Sequence, residues 1–174
     1  MIAAAVAALL SVLAADLQVR DLNGKAQRVE LGSTVTVVTF VSTTCPVSNA
    51  YNDRMIAAYQ DYSKQGVKFV FVDANVNESA SEIAAYQKTV GFPFAIYRDQ
   101  NVAEQLGAQV TPEAFVFDRA GKLRYQGAID DSRNAARVRN QALRDALDAV
   151  LGGKAVAQPV LKAFGCMIKK AGRN

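Results

Sequence analysis

Val35-Thr36-Val37-Val38-Thr39-Phe40-Val41 runs directly into Ser42-Thr43-Thr44-Cys45-Pro46-Val47-Ser48, and the architecture follows from this junction. The first seven residues are all β-branched or aromatic. Such near-continuous apolarity marks a strand buried on both faces, as in a central parallel sheet. Beyond the junction, Tyr51, Met55, Ala58, Tyr59 and Tyr62 recur at i, i+4, i+7, i+8 and i+11, the spacing of one helix face, and Gly66 is a suitable stop. Pro46 suits the first helical position, where its missing N–H would be unpaired anyway. Cys45 is therefore expected at or near the N-cap, facing unpaired backbone N–H groups and the positive end of the helix dipole. Both favour the thiolate, which is the nucleophilic form of cysteine. The end of a parallel strand is also where α/β sheets place their sites. A small buried residue that happens to be cysteine is the plainer alternative.

The flanking segments continue the alternation. Residues 67–73 form a second buried strand, and Ser79-Ala80-Ser81-Glu82 is a capping box opening a helix with Ile83, Tyr86 and Val90 on its apolar face. Gly91-Phe92-Pro93 breaks it. A short strand over 94–97, a short helix over 101–106, and a hairpin of 114–118 and 123–126 around Arg119-Ala120-Gly121-Lys122 follow. Upstream, residues 16–31 are polar and turn-rich around Asn23-Gly24, as in a leading hairpin. A last helix is predicted from about 134 to 151, with Leu143, Leu147, Val150 and Leu151 as its core stripe. Asp130-Asp131-Ser132 would cap that helix or, alternatively, line the site. The tyrosines at 51, 59 and 62 are expected beneath the sheet, Glu113 at the surface unless it relays protons, and Lys169-Lys170 at a solvated end. The result is an α/β fold, a mixed central sheet with helices on both faces.

Composition removes whole classes of function. The 174 residues suit one domain with short extensions. There is no histidine, so Ser-His-Asp and Cys-His catalysis and histidine metal ligation are excluded. Two cysteines cannot build a zinc site by themselves. Twenty Lys+Arg against sixteen Asp+Glu give +4, scattered along the chain, so no nucleic-acid footprint follows. Residues 1–15, MIAAAVAALLSVLAA, carry no charge; as a helix they would span roughly 22 Å, short of a ~30 Å bilayer core. They read as the apolar region and cleavage site of a secretory signal, cut after Val12-Leu13-Ala14. No Lys or Arg precedes the run, which a start codon placed too far downstream would explain. The alternative is an apolar N-terminal helix packed on the domain. The expected organisation is a signal over 1–15, a domain over 16–151 and a tail over 152–174. Such a protein is exported, periplasmic, and without a membrane span once the signal is removed.

The strand, Cys45-Pro46-Val47-Ser48, the helix, and Thr111-Pro112 ahead of a strand-turn-strand hairpin together resemble the thioredoxin fold. The run VDANVNESASEIAAYQKTVGFPF, residues 72–94, looks like the redoxin branch, the alkyl hydroperoxide reductase and thiol-specific antioxidant superfamily with its exported TlpA-like relatives. The likeness covers roughly residues 30 to 130. It implies that Cys45 is the nucleophilic first cysteine of a C-x-x-C motif in which Ser48 replaces the second, so no vicinal disulfide can form. Pro112 matches the family's cis-proline, and Thr111 before it offers backbone groups to a bound substrate. Thr44 stands where a tryptophan is common. Against the peroxiredoxin pattern P-x-x-x-[TS]-x-x-C, Ser42 fits, but Val38 replaces the proline and Thr111-Pro112 stands where the remote arginine belongs. A copper carrier needs a second nearby thiol and usually a histidine, and is set aside.

Cys166, in Lys162-Ala163-Phe164-Gly165-Cys166-Met167-Ile168, is the second thiol. The D-A-V-L-x-G-K and G-C elements of the tail resemble those of some exported redoxin-like proteins. Cys166 would act as a distant resolving cysteine if its Cα came within roughly 7 Å of that of Cys45. The alternatives are a cysteine without a redox role and one used between chains. The implied activity is thiol-disulfide exchange at Cys45, with a mixed disulfide held near Thr111-Pro112 and resolved by Cys166 or an external thiol. Its partners are a protein or small-molecule disulfide and a thiol reductant, with no cofactor, metal or nucleic acid. The alternatives are a thiol peroxidase and a non-enzymatic binding module, the latter favoured by a fully enclosed Cys45.

Overall fold

A computed structural model describes residues 16–172; the expected signal segment lies outside the described residues. The polar leading segment is a hairpin, β1 (Leu17–Arg20) paired antiparallel with β2 (Ala26–Val29). β3 (Thr36–Val41) is buried at all six positions, as its β-branched run requires. The helix after the junction comes in two pieces, α1 (Pro46–Asn49) and α2 (Asn52–Ser63), with Ala50 and Tyr51 between them. Then come β4 (Lys68–Asp73), α3 (Ala80–Val90), β5 (Ile96–Arg98) and α4 (Asn101–Leu106). The capping box at α3 is present in both directions between Ser79 and Glu82, and Gly91 ends the helix at φ 74°. β6 (Val110–Thr111), β7 (Glu113–Phe117) and β8 (Leu123–Gly127) follow, then α5 (Ala142–Leu151), β9 (Val160–Leu161) and β10 (Cys166–Met167).

Six strands make the central sheet in the order β5-β4-β3-β7-β8-β9. β3, β4 and β5 are mutually parallel, β7 runs antiparallel to β3 and to β8, and β9 adds parallel to β8. The sheet is therefore mixed, as expected. Alternation along the strands sends side chains to two cores. Val37, Val41, Phe71 and Val116 meet Tyr51, Met55, Tyr62, Ile83 and Leu147 from α2, its N-terminal end, α3 and α5. Val38, Phe40, Val72, Phe115 and Phe117 meet the β1–β2 hairpin, α4 and Ile168 on the other face. Each large apolar side chain so enclosed contributes about 1.5–3 kcal/mol. Tyr59 also packs against the first core, edge-on to Phe69 and Phe94.

The last helix is shorter than predicted. α5 begins at Ala142 with no side-chain cap on Gln141, and only a single 3-10 turn, Ala135–Arg137, precedes it. Between 134 and 141 Val138 is the only large apolar residue, so a helix there would have no stripe to bury. Asp130-Asp131-Ser132 does not cap the helix either. Asp130 is buried and paired with Arg54 at 2.6 Å, while Asp131 accepts the Arg139 N–H at 2.9 Å. These carboxylates hold the loop before α5 in an irregular path. Among the described residues no helix is long and apolar enough to cross a membrane.

Candidate active site

Cys45 occupies the N-cap of α1 with extended backbone (φ −84°, ψ 113°), and its Sγ accepts the Ser48 N–H at 3.3 Å. A sulfur placed there is stabilised when it carries negative charge. The turn leading into it is tightly tied. Ser42 Oγ accepts the Cys45 N–H at 3.1 Å, and Ser48 Oγ accepts the Ser42 N–H at 3.2 Å. Ser48 is fully buried. Ser48 thus holds the strand-to-helix turn closed.

Cys166 is bonded to Cys45, with Cα atoms 5.9 Å apart across 121 residues of sequence. The tail reaches this point as a strand. β10 pairs antiparallel with β6, Cys166 opposite Thr111 and Met167 opposite Val110. The Thr111-Pro112 peptide bond is cis, and the Thr111 carbonyl oxygen lies 3.5 Å from Cys45 Sγ. Thr111, Pro112, Cys45, Ser48 and Cys166 therefore converge. Thr44 is exposed and turned the other way, its Oγ1 donating to Glu78 at 2.9 Å. Cys45 is 2% exposed, the enclosure expected of an inert module, yet what lies on its sulfur is Cys166, held by a bond that thiols can open.

A buried carboxyl pair underlies the same turn. Glu78 Oε2 accepts the Thr43 N–H at 2.6 Å and the Thr43 hydroxyl, and Oε1 accepts the hydroxyls of Ser42 and Thr44. Asp73, at the end of β4, is fully buried and accepts both N–H groups of Asn75 through Oδ1. Its Oδ2 meets no donor. Burial first, and the neighbouring Glu78 second, push the Asp73 pKa up to about 8. Burial alone would raise Glu78 too. The hydrogen bonds from Asp73, Ser42 and Thr43 outweigh it and hold Glu78 below the usual carboxylate range. Near neutral pH Asp73 therefore keeps its proton while the neighbouring Glu78 is ionised. Asn75 also accepts the Lys169 N–H at 2.9 Å, and Val76 donates to the Lys169 carbonyl, so the tail ends on this loop.

Glu113 departs from its expected surface position. It is buried beside Pro112, accepting the Gln109 N–H at 2.8 Å and the Gln126 amide at 3.2 Å. The turn into β6 leaves backbone N–H groups unpaired, and the carboxylate satisfies them. Neither Asp73 nor Glu78 was singled out by its sequence pattern, although a carboxylate closing the apolar run Phe69-Val70-Phe71-Val72 is the signal that could have found the first. Among the described residues no group of three or more His, Cys, Asp or Glu side chains is placed to hold a metal ion.

The AhpC/TSA family matches residues 12–126. The chain is 33% identical to a hypothetical protein from Sinorhizobium meliloti 1021, covering 91% of this chain and 93% of that one at a TM-score of 0.81. It is 29% identical to an uncharacterized conserved protein from Geobacillus kaustophilus, covering 93% and 92% at a TM-score of 0.83. A thiol:disulfide interchange protein of the thioredoxin family from Chlorobium tepidum TLS shares the fold, at 20% identity, 79% and 94% coverage and a TM-score of 0.60. No curated protein matches the chain.

Proposed function

The chain belongs to the AhpC/TSA family, and from that membership we propose that it is a thiol-disulfide oxidoreductase in which Cys45 is the nucleophile and Cys166 the resolving cysteine. The observation that carries the reading is the Cys45–Cys166 bond, which joins the N-cap of α1 to a strand lying on Thr111. An external dithiol reduces this bond, giving up two electrons and becoming a disulfide. Cys45 thiolate, favoured by the Ser48 N–H, then attacks a substrate disulfide; one substrate sulfur bonds to Cys45 and the other leaves as a thiolate. Cys166 thiolate attacks Cys45, re-forms the original bond and releases the second substrate thiol.

Peroxide reduction is the competing chemistry of the family. It gains no support from the groups hydrogen-bonded to Cys45 Sγ among the described residues, which are the Ser48 N–H and the Thr111 carbonyl and include no arginine. The test uses a chromogenic disulfide and a dithiol reductant. Turnover is expected in the wild type and lost in Cys45→Ser, while Cys166→Ser, reduced and then freed of the dithiol, should stop at a mixed disulfide with the substrate. Full turnover in Cys45→Ser would end the proposal. In the Cys166→Ser background, hydrogen peroxide should oxidise Cys45 no faster than it oxidises a free thiolate. A rate orders of magnitude higher would move the assignment to a peroxidase.

The reading includes export to the periplasm as residues 16–151 with the tail 152–174, the apolar segment 1–15 being removed. Mass spectrometry of the secreted chain should find Ala15 or Asp16 at its start; an intact Met1 would refute processing.

A further inference from the structure

Resting on that thiol-disulfide reading, we propose that β10 is a built-in stand-in for the substrate, and that the edge of β6 selects protein segments with glycine immediately before the reacting cysteine and an aliphatic residue two places after it. Among the described residues β6 pairs with β10 alone. The register is fixed by Cys166 opposite Thr111, Met167 opposite Val110, and the Ile168 N–H donating to the Gln109 carbonyl at 2.9 Å. Three neighbouring positions of this strand are under different constraints. A Cβ on Gly165 would lie 1.9 Å from the Thr111 carbonyl oxygen and 2.7 Å from its carbon, both backbone atoms unable to step aside. Met167 is 66% exposed and tolerates any side chain, whereas Ile168 is 6% exposed within the second core.

An incoming segment that bonds to Cys45 along this edge meets the same Thr111 carbonyl and the same apolar recess, so it inherits the same limits. One edge cannot hold two strands. After an external dithiol reduces Cys45–Cys166, β10 leaves β6 and the substrate segment takes its place. Cys45 thiolate attacks the segment's disulfide sulfur, the new Cys45–substrate S–S bond forms, and the substrate's other sulfur departs as a thiolate that takes a proton from solvent. When Cys166 thiolate attacks Cys45, the Cys45–Cys166 bond returns and the segment's sulfur leaves in the same way. The two electrons gained by the substrate are those the dithiol supplied. Return of β10 thereby couples resolution to ejection of product.

The experiment uses peptides of residues 162–170 whose cysteine carries a thionitrobenzoate leaving group, presented to the full-length reduced Cys166→Ser chain. Release of the coloured thiolate reports attack by Cys45. Each rate is divided by that of glutathione with the same peptide, which removes intrinsic differences. The peptide of native sequence is expected to react roughly tenfold or more faster than versions with Gly165→Val or Ile168→Asp, and about as fast as one with Met167→Asp. Equal rates for all four, with the symmetrical thionitrobenzoate disulfide still reacting, would overturn the selectivity and leave thiol-disulfide exchange standing. If the symmetrical disulfide fails to react as well, the reading of Cys45 as nucleophile fails, and this proposal with it.

Discussion

The two sulfurs of the Cys45–Cys166 bond are held by very different means. Cys45 caps α1 just beyond β3, whose six residues are all buried, and its turn is fixed by Ser42, Ser48 and Glu78 through hydrogen bonds from several directions. Cys166 sits on a tail in which, from 152 to 172, Ile168 alone is buried. That tail is fastened by a few backbone hydrogen bonds along β6, β8 and the loop after β4. The contrast suits the roles proposed for the two thiols, since a nucleophile needs a fixed environment to keep its charge stabilised, whereas a resolving thiol must arrive and depart. Local openings draw on regions with few buried apolar contacts, and the tail is such a region.

Reducing the bond is the strongest way to break the contrast. Its 121-residue separation predicts a loss of up to about 5 kcal/mol on reduction, because closing so long a loop restricts the unfolded chain. Denaturant unfolding with and without reductant measures it, and Cys166→Ser should show no such difference. Next in size is a core variant. Leu147→Ala empties a fully buried site and should cost about 3 kcal/mol. Its cost should be the same in oxidised and reduced protein, while Ile168→Ala should cost about 2 kcal/mol in the oxidised form and little after reduction. Equal costs for Ile168→Ala in both forms would mean that the tail stays docked without its bond.

The carboxyl pair beneath Cys45 sharpens the comparison through pH. The folded Asp73 holds its proton up to about pH 8, far above an unfolded aspartate near 4. The folded state therefore binds more protons between those values. This contribution to stability is complete below about pH 4 and is lost as pH rises towards 8. Asp73→Asn should flatten that part of the stability–pH curve, and an unchanged slope would place the proton elsewhere. The smallest effect belongs to the tail's surface, where Met167→Ala should stay within about 0.5 kcal/mol.

What was legible in the sequence is what is local. β3 and β4 follow from runs of β-branched residues, α3 from its capping box, and the N-cap placement of Cys45 from Pro46. The errors share a cause in distant partners. Residues 134–141 contain alanines and arginines that suit a helix, but Arg54, 76 residues before Asp130, claims that carboxylate and holds the loop out of helical form. Glu113 looked like a surface charge, and what encloses it is the neighbouring strand β8, whose Gln126 amide it accepts alongside the nearby Gln109 N–H. Glu78 meets Ser42, Thr43 and Thr44, more than thirty residues away in sequence, only once β4 lies beside β3. The meeting of Cys45 with Cys166 depended on where twenty tail residues run, which no periodicity records.

Gly127 carries one further consequence. A Cβ there would lie 1.8 Å from the Leu161 carbonyl oxygen, so β9 rests directly on the last long strand of the sheet. The Gln126 and Ala128 N–H groups donate to Pro159 and Leu161. Without β9 those donors would face solvent as an open strand edge, a template on which a second chain can pair and aggregation can begin. The root of the tail thus covers an edge open to self-association, and on the proposed mechanism the movement that frees Cys166 would hinge after Leu161.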